Sequence, residues 1–322
     1  MPKPKIIIPD DAPPVMGPSD AYQNLLGRAE VVYYDSLPAN RDEALKRIAD
    51  AELIINIRSS MSFPEEVLKS CPKLKMLSMW GTGTDHVDLG AAGRLGVTVT
   101  NTPGVSAYAM AEHALALMLT VARNIPEIDA ATKKGGWPRG FITQLHGKTL
   151  GVIGLGAIGR QTARIARGIG MKVIAWTMHP SEKLAAELGV KMVELDDLYR
   201  ESDVVSLHLR LSPDTTGFLG AREFSLMKPS AIFINTARGA ITDEKALVEA
   251  LESKKIAAGL DVFQTEPLPK DHPLTRLPNV VITPHSGGVT KEALEAGLQL
   301  SIDNVFAFLD GKPQNVVAGP GQ

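Results

Sequence analysis

Three glycines near the midpoint of the 322-residue chain have the spacing of a phosphate-binding turn. Gly154, Gly156 and Gly159 form G-x-G-x-x-G after an apolar run, and a helix-like segment and a second apolar run follow. In this context the first glycine allows a tight turn, the second lets a pyrophosphate approach the backbone, and the third lets the helix pack on the strand. The helix N-terminus offers free N–H groups and a positive dipole end to the phosphates. The pattern therefore predicts a dinucleotide-binding site.

The residue that would select between NAD and NADP is not acidic. An Asp or Glu roughly 20 residues beyond such glycines accepts hydrogen bonds from the adenosine ribose, and its charge repels a 2′-phosphate. Thr177 stands at this position, so one barrier to NADP is missing. No arginine follows directly, and only His179, Lys183 and Arg160 offer positive charge nearby. We expect NAD(P) as the cofactor, with NAD slightly favoured.

Three further stretches, each at or just beyond the end of an apolar run, supply one ionisable side chain each: Arg238, Glu266 and His285. A guanidinium suits bidentate capture of a carboxylate, and a histidine suits proton transfer to a carbonyl oxygen. A neighbouring glutamate would favour the imidazolium and orient the ring. Taken singly, each could be a surface ion-pair partner, a loop acid or a turn residue. Together they indicate catalysis, because ligands of open α/β sheets bind at strand ends.

The elements that must position these residues form two series of apolar runs that alternate with helix-like segments. Such alternation predicts an α/β fold with parallel sheets. The first series has no glycine fingerprint and is not expected to hold the dinucleotide. The predicted strands are residues 5–8, 30–34, 53–57, 75–79 and 97–100, and then 150–153, 173–176, 204–209, 231–236, 258–262 and 280–283.

The segment around Thr102 breaks the pattern and is a candidate hinge. The last helix is predicted at residues 291–309, after the final strand, so that the chain returns to its first domain before a short tail. We therefore predict a substrate domain of residues 1–102 plus 287–322, and a dinucleotide-binding domain of residues 103–286.

Between the two series lies a long predicted helix at residues 107–123, followed by residues 124–145, which have little strand character. The second of these segments contains Trp137 and is typical of an oligomer arm, which predicts a homodimer. His113 lies within the Ala/Leu/Met-rich helix. We interpret it as a packed histidine and not as a catalyst.

The composition is that of a soluble globular protein, with 44% hydrophobic residues, 22% charged residues and a net charge of −2. The chain has no excess of basic residues, so its charge does not indicate a nucleic-acid partner. The longest apolar stretch, residues 114–122, is too short to span a bilayer, so we expect no membrane association. The single cysteine, Cys71, excludes an internal disulfide and fits a cytoplasmic protein.

With these motifs in place, the chain resembles the D-isomer-specific 2-hydroxyacid dehydrogenase family over nearly its whole length. The resemblance implies two doubly wound parallel-sheet domains, one flavodoxin-like for the substrate and one Rossmann domain for the dinucleotide, with catalysis in the cleft between them. The collinear motifs that carry it are Gly81-Thr82-Gly83-Thr84-Asp85 to Asp88, Asn101-Thr102-Pro103-Gly104, Ala111-Glu112-His113, the glycine turn, and the stretches around Arg238, Glu266 and His285.

By this resemblance, Arg238 binds the carboxylate of a 2-oxo acid and polarises its carbonyl, and His285 is the acid/base paired with Glu266. No metal ligands are assigned. The cofactor-binding set is Gly154, Gly156, Ala157, Ile158, Gly159, Thr177, His208, Thr236, Ala237 and Asp261, with Asp261 on the nicotinamide carboxamide. The substrate-binding set is Arg58, Ser59, Trp80, Gly81 and Thr82, together with Arg238.

The chain departs from the family pattern at a few positions. Ala237 replaces a more usual serine, Thr177 replaces the common acid, and Arg210 stands close behind His208 in a stretch that lacks its usual proline. Trp80 is bulky for a position beside the substrate loop. We expect it to narrow the substrate pocket or to stack on a substrate side chain.

The expected activity is NAD(P)-dependent interconversion of a 2-oxo acid and a D-2-hydroxy acid, of the glyoxylate or hydroxypyruvate type. Phenylpyruvate stays open, and so does 3-phosphoglycerate, which is less favoured because no added regulatory domain follows, although short forms exist. The main alternative is a dinucleotide-sensing, corepressor-like protein on the same scaffold. Formate dehydrogenase is a weaker alternative, since that branch has glutamine where Glu266 stands.

Overall fold

A computed structural model describes residues 3–57 and 61–320 of the chain. The chain separates into two compact units, each with its own sheet. The first unit ends at Ser106 and resumes at Thr290, and the second runs from Ala107 to Val289. The units thus change at 106 and 289, where the sequence predicted 102 and 286.

Thirteen β-strands lie within the described residues. They are β1 (Lys5–Ile8), β2 (Glu30–Tyr33), β3 (Leu53–Asn56), β4 (Met76–Met79), β5 (Thr98–Thr100), β6 (Thr149–Ile153), β7 (Lys172–Trp176), β8 (Lys191–Met192), β9 (Val204–Leu207), β10 (Ala231–Asn235), β11 (Ile256–Leu260), β12 (Val280–Ile282) and β13 (Val316–Ala318).

Twelve α-helices lie within the same described part of the chain, together with two short 3-10 turns at Gly239–Ile241 and Pro273–Thr275. The helices are α1 (Asp20–Arg28), α2 (Arg41–Ile48), α3 (Glu65–Lys69), α4 (Leu89–Arg94), α5 (Ala107–Ala122), α6 (Ile125–Lys133), α7 (Ala157–Gly168), α8 (Glu182–Leu188), α9 (Leu195–Glu201), α10 (Ala221–Leu226), α11 (Glu244–Glu252) and α12 (Lys291–Leu309).

The sheet of the first unit has the strand order β13-β5-β4-β3-β1-β2. All its pairs are parallel except β13 with β5, which is antiparallel. Apart from β13, this is the 2-1-3-4-5 order of flavodoxin-like sheets. The terminal tail therefore supplies an edge strand, whereas the sequence pattern predicted only a short tail.

The sheet of the second unit has the order β12-β11-β10-β9-β6-β7-β8, with every pair parallel. Counted from the glycine strand β6, this order begins 3-2-1-4-5-6, which is the Rossmann arrangement. The direction of winding reverses between β6 and β9, and ligands bind outside the carboxyl ends of strands at such a point. Both sheets confirm the predicted α/β class of doubly wound parallel sheets.

Helices cover both faces of each sheet, which explains why the central strands are apolar throughout. In the second unit one buried cluster includes side chains of α5, α7 and α8, and another includes side chains of α9, α10 and α11. In the first unit the clusters involve α2, α3 and α4, and then α1 and α12. The loops at the carboxyl ends of the strands thus stand on a rigid layer.

Among residues 3–57 and 61–320, no helix has the length and apolar character needed to cross a membrane.

Candidate active site

The glycine turn joins β6 to α7 in the second unit. Gly154 has φ +97°, and a Cβ there would lie 2.6 Å from the carbonyl oxygen of His208. A Cβ on Gly159 would lie only 1.9 Å from the carbonyl oxygen of Gly154. Packing therefore requires glycine at both positions.

The middle glycine has a different role. A Cβ on Gly156 would meet no atom within 4 Å, so open space lies in front of this backbone. Gly156 is also the N-cap of α7, and it provides no side-chain acceptor for the first N–H groups of the helix. Ala157 and Ile158 begin the helix. An anion would find room and hydrogen-bond donors here, as a pyrophosphate requires.

Two polar side chains of the predicted cofactor set lie beyond the carboxyl ends of β9 and β10. Burial lowers the pKa of His208 to about 4, so its ring is neutral near pH 7, and its Nε2 lies 2.9 Å from the Ser206 Oγ. The Thr236 hydroxyl is buried and has no hydrogen-bond partner within the described part of the chain. Such a buried hydroxyl fits a polar group of a bound ligand.

The ribose position, Thr177, follows β7 and is partly buried. Of the three candidate cations, His179 and Lys183 are exposed. Arg160 donates from its Nε to the carbonyl oxygen of Leu155 at 2.8 Å, which ties its guanidinium to the glycine turn.

His285 and Glu266 form a hydrogen-bonded pair. The Nδ1 of His285 lies 2.7 Å from the Oε2 of Glu266, and the N–H of Phe263 donates to Oε1 at 3.0 Å. Burial opposes ionisation of Glu266, but these two donors and the positive charge of Arg238 hold its pKa below the usual range. A carboxylate next to Nδ1 means that this nitrogen carries a proton, which leaves Nε2 as the nitrogen for proton exchange.

A buried carboxylate holds the loop that carries His285. The Oδ1 of Asp261 accepts hydrogen bonds from the Thr283 hydroxyl at 2.6 Å and the Ser286 N–H at 2.9 Å, and Oδ2 accepts from the Gly287 N–H at 2.9 Å. Burial opposes ionisation of Asp261, but its donors hold its pKa below the usual range. His285 itself has φ +53°, a left-handed conformation that needs support from its surroundings. Asp261 provides this support from both sides of the histidine.

Arg238 lies just beyond β10, where Asn235 shapes the turn. The Asn235 Oδ1 accepts from the Ala237 N–H at 3.0 Å, and its Nδ2 donates to the Arg238 carbonyl oxygen at 3.1 Å. The Arg238 guanidinium donates from Nη1 to the Ala237 carbonyl oxygen at 2.8 Å and is partly buried. Its charge acts on Glu266, so Arg238, Glu266 and His285 belong to one electrostatic cluster.

A cavity of about 620 Å³ in the second unit opens beside this cluster. Glu266 and His285 provide its ionisable groups. The remaining lining is largely apolar: Phe263, Pro267, Leu268, Ile282, Thr283 and Pro284. The hydrogen-bonded pair of His285 and Glu266 thus faces a space with few competing polar groups.

In the first unit, Trp80 follows β4 and packs against α12. A Cβ on Gly297 of that helix would lie 2.0 Å from the Trp80 Nε1, so only glycine leaves room for the indole. Gly81 has φ +120° and donates its N–H to the Thr102 Oγ1 at 2.7 Å. The role of Trp80 at the substrate stays a prediction.

The carbonyl oxygen of Thr82 accepts a hydrogen bond from the Asn101 Nδ2 at 2.8 Å. Thr82 therefore lies in a loop fixed from within the first unit. The other two predicted substrate residues, Arg58 and Ser59, lie outside the described residues.

One residue that we interpreted as merely packed contacts the residues that hold the His285 loop. The Nε2 of His113, on α5, lies 2.9 Å from the Thr283 Oγ1 and 3.4 Å from the Asp261 Oδ1. No local sequence signal could have indicated this contact, because 170 positions separate His113 from Thr283.

Comparison with known proteins identifies the family. Residues 115–287 match the model of the D-isomer specific 2-hydroxyacid dehydrogenase NAD binding domain. The chain therefore belongs to the D-isomer specific 2-hydroxyacid dehydrogenase family, which confirms the resemblance inferred from its motifs.

Two curated relatives differ in length. The D-3-phosphoglycerate dehydrogenase of Methanocaldococcus jannaschii is 41% identical over 285 residues, which cover 87% of this chain and 54% of the relative. The glyoxylate reductase of Thermococcus litoralis is 39% identical over 288 residues, which cover 86% of each protein. The chain thus spans about half the length of the phosphoglycerate dehydrogenase and most of the glyoxylate reductase.

Two solved structures are similar over nearly the whole chain. An acyclic imino acid reductase in complex with NADPH and D-Arg has a TM-score of 0.88 and 32% identity, covering 97% of this chain and 99% of its own. The D-lactate dehydrogenase of Aquifex aeolicus, complexed with NAD and lactic acid, has a TM-score of 0.87 and 30% identity, covering 98% of this chain and 100% of its own.

Proposed function

We propose that the chain is an NAD(P)-dependent oxidoreductase that interconverts a 2-oxo acid and a D-2-hydroxy acid of the glyoxylate or hydroxypyruvate type. The observation that carries this proposal is the His285–Glu266 hydrogen bond of 2.7 Å within the field of Arg238. An acid/base histidine, its carboxylate partner and a cation for the substrate are the groups that this reaction needs. Family membership supports the same reaction class.

The side chains would divide the work as follows. When bound, the dinucleotide supplies or accepts the hydride at its nicotinamide ring. His285 donates the Nε2 proton to the carbonyl oxygen of the 2-oxo acid during reduction and takes it back during oxidation. Glu266 keeps the ring oriented and stabilises its positive charge. Arg238 binds the carboxylate and stabilises the negative charge that develops on the carbonyl oxygen.

The second unit suits a nicotinamide dinucleotide, and we propose it as the cofactor domain, with the first unit as the substrate domain. The open space at Gly156, the N-terminus of α7 without a side-chain cap and the unpartnered Thr236 hydroxyl fit such a ligand. We propose NAD as the slightly preferred form, because no arginine directly follows Thr177 to attract a 2′-phosphate. The two solved relatives are complexes with NADPH and with NAD respectively, and both cofactor forms are therefore compared in the assay.

The test is oxidation of NADH and of NADPH, followed by absorbance, against a panel of 2-oxo acids that includes glyoxylate, hydroxypyruvate and phenylpyruvate. Turnover with small 2-oxo acids would support the proposal and settle substrate size and cofactor preference together. A lack of turnover on every acid, with dinucleotide binding intact by titration, would favour a dinucleotide-sensing protein instead.

The substrate prediction for Trp80 can be tested with the same panel. If the indole restricts the pocket, Trp80→Ala should broaden the profile towards larger 2-oxo acids. An unchanged profile would assign Trp80 to packing on Gly297 alone.

We also propose a homodimer formed through residues 124–145. The side chains of Trp137 and Phe141 in this segment are strongly exposed, and Ile125 and Ile142 are exposed as well. Apolar side chains clustered at a surface mark an interaction site. Sedimentation analysis of the protein and of a Trp137→Ser, Phe141→Ser variant tests this, with dissociation expected for the variant.

The cytoplasmic location stays a prediction.

A further inference from the structure

The contact between His113 and the catalytic loop lies entirely within the second unit and rests on short distances. His113 projects from α5 with 21% of its side chain exposed. Its Nε2 is 2.9 Å from the Thr283 Oγ1, and Thr283 immediately precedes the segment that carries His285. The helix thus reaches the loop through one imidazole nitrogen.

The hydrogen-bond directions in this cluster can be assigned from the chemistry of its members. An ionised Asp261 can only accept, so the Thr283 hydroxyl donates its single proton to the Asp261 Oδ1 at 2.6 Å. The Thr283 oxygen must then accept from its other neighbour, which is the Nε2 of His113. His113 therefore carries a proton on Nε2.

The same carboxylate binds the backbone on the far side of the catalytic histidine. Asp261 accepts from the N–H groups of Ser286 and Gly287, both at 2.9 Å. A Cβ on Gly287 would lie 2.9 Å from the His113 Cδ2, so the imidazole also packs directly on this loop. Hydrogen bonds thus connect His113 to Thr283 and Thr283 to Asp261, and Asp261 in turn accepts from the backbone that flanks His285.

We propose that His113 is a positioning residue for His285. Its Nε2–H orients the Thr283 hydroxyl towards Asp261, and Asp261 then holds the left-handed backbone of His285 in the geometry for proton transfer. The catalytic consequence rests on the proposed dehydrogenase function, whereas the effect on the loop does not.

The kinetic test compares two replacements of His113. His113→Phe keeps an aromatic ring but removes the donor, and kcat with the best 2-oxo acid should fall about 10- to 100-fold, because small displacements of a catalytic group are costly. His113→Gln restores an N–H near the position of Nε2 and should recover most of kcat. Failure of glutamine to do better than phenylalanine would overturn the proposal.

Thr283→Val provides a second, independent variant. It removes the hydroxyl that links His113 to Asp261 but keeps the branched shape, so it should reproduce the fall in kcat. The double variant His113→Phe, Thr283→Val should be no slower than the worse single variant, because both break one chain of contacts. Fully additive losses would overturn the link. His146→Phe is the matched control. His146 lies just before the amino end of β6, whereas the candidate site lies at the carboxyl ends of the strands, so this variant should leave kcat unchanged.

Hydrogen exchange tests the loop without any turnover. In His113→Phe, the amides of Ser286 and Gly287 should lose protection, whereas the amides of β6 should keep theirs. Unchanged protection would overturn the proposal even if kcat fell. If the wild-type protein turns over no 2-oxo acid, the proposed function fails, and the exchange result still decides whether His113 positions the loop.

Discussion

A buried carboxylate follows a parallel strand in each unit, and the two carboxylates do different things. In the first unit, Asp11 lies beyond β1 and accepts from the N–H groups of Val15 and Met16 and from the Tyr33 hydroxyl, at 2.8 to 2.9 Å. In the second unit, Asp261 follows β11 and closes the loop of His285. The Asp11 loop turns a fully buried Met16 inward, whereas the Asp261 loop presents His285 with 44% of its side chain exposed. The same way of closing a loop thus buries an apolar side chain in one unit and presents the proposed catalytic histidine in the other.

The two units also differ in the loop that joins the first strand of each sheet to the next helix. In the second unit only three residues, 154–156, join β6 to α7, and no side chain caps the helix. In the first unit the longer, proline-rich connection of residues 9–19 ends at Ser19, whose side chain accepts from the Tyr22 N–H at 3.3 Å. One helix end is therefore open to a phosphate and the other is already closed.

The largest effect is expected at the proposed catalytic residues of the second unit. His285→Ala removes the proposed proton donor, and kcat should fall by about 10³-fold while dinucleotide binding and unfolding stay unchanged. Arg238→Ala should be similarly inactive, because the substrate carboxylate loses its partner. Steady-state kinetics and a fluorescence titration with the reduced dinucleotide separate the two properties. Near-normal turnover in either variant would refute the assignment of the site.

A pair of helix glycines compares the units directly. Gly159→Ala in α7 forces a methyl group to 1.9 Å from a carbonyl oxygen, and we expect a loss of about 3 kcal/mol in unfolding free energy, with weaker dinucleotide binding. Gly27→Ala in α1 meets no atom within 4 Å and should stabilise its helix by about 0.5 kcal/mol. Urea denaturation of both variants measures the difference. Equal effects would mean that the glycine turn is not specially constrained.

The buried carboxylate of the first unit should matter for stability and not for the cofactor. Asp11→Asn replaces one carboxylate oxygen by an NH₂ group, which cannot accept from the N–H groups and the hydroxyl that surround it. We therefore expect a loss of about 2 kcal/mol in unfolding free energy. Burial, and then the hydrogen bond to Asp11, raise the pKa of Tyr33 to about 12. The variant should lower that pKa in an absorbance titration and leave the KM for the dinucleotide unchanged. A weakened dinucleotide affinity would contradict the division between the units.

The parts of the molecule that the sequence predicted are those set by local patterns. The glycine turn was predictable because the two positions that have no room for a Cβ, Gly154 and Gly159, lie within six residues of each other in the sequence. Glu266 and His285 were predictable as partners because parallel strands end at one edge of a sheet, and their hydrogen bond joins residues only 19 positions apart. Local spacing was thus enough to predict the glycine turn and the contact between Glu266 and His285.

Contacts between residues far apart in the chain could not be predicted from the sequence. His113 was assigned to packing because its apolar helix gave no hint of a partner 170 positions away. The sequence predicted only a short tail and no strand in it, since the three residues of β13 are too few to show a pattern. The strand exists because β5 provides an edge for it to pair with.

The smallest predicted effect concerns the acid stability of the second unit. Burial lowers the pKa of His208 from 6.5 to about 4, so the unfolded chain binds its proton at higher pH than the folded chain. The stability contributed by the neutral ring is therefore complete above about pH 6.5 and is lost as the pH falls towards about 4. Between about pH 7 and about pH 5 this amounts to at most about 2 kcal/mol.

His208→Gln keeps a polar group near Ser206 but cannot titrate, so its unfolding free energy should decline less steeply with acid than that of the wild type. His179→Gln is the control, because His179 is exposed in the loop after β7. Urea denaturation at several pH values distinguishes the two variants. The prediction is wrong if the unfolding free energies of both variants fall with acid as steeply as that of the wild type. His208 would then have the same pKa in the folded and unfolded chains, and burial at the end of β9 would not lower it.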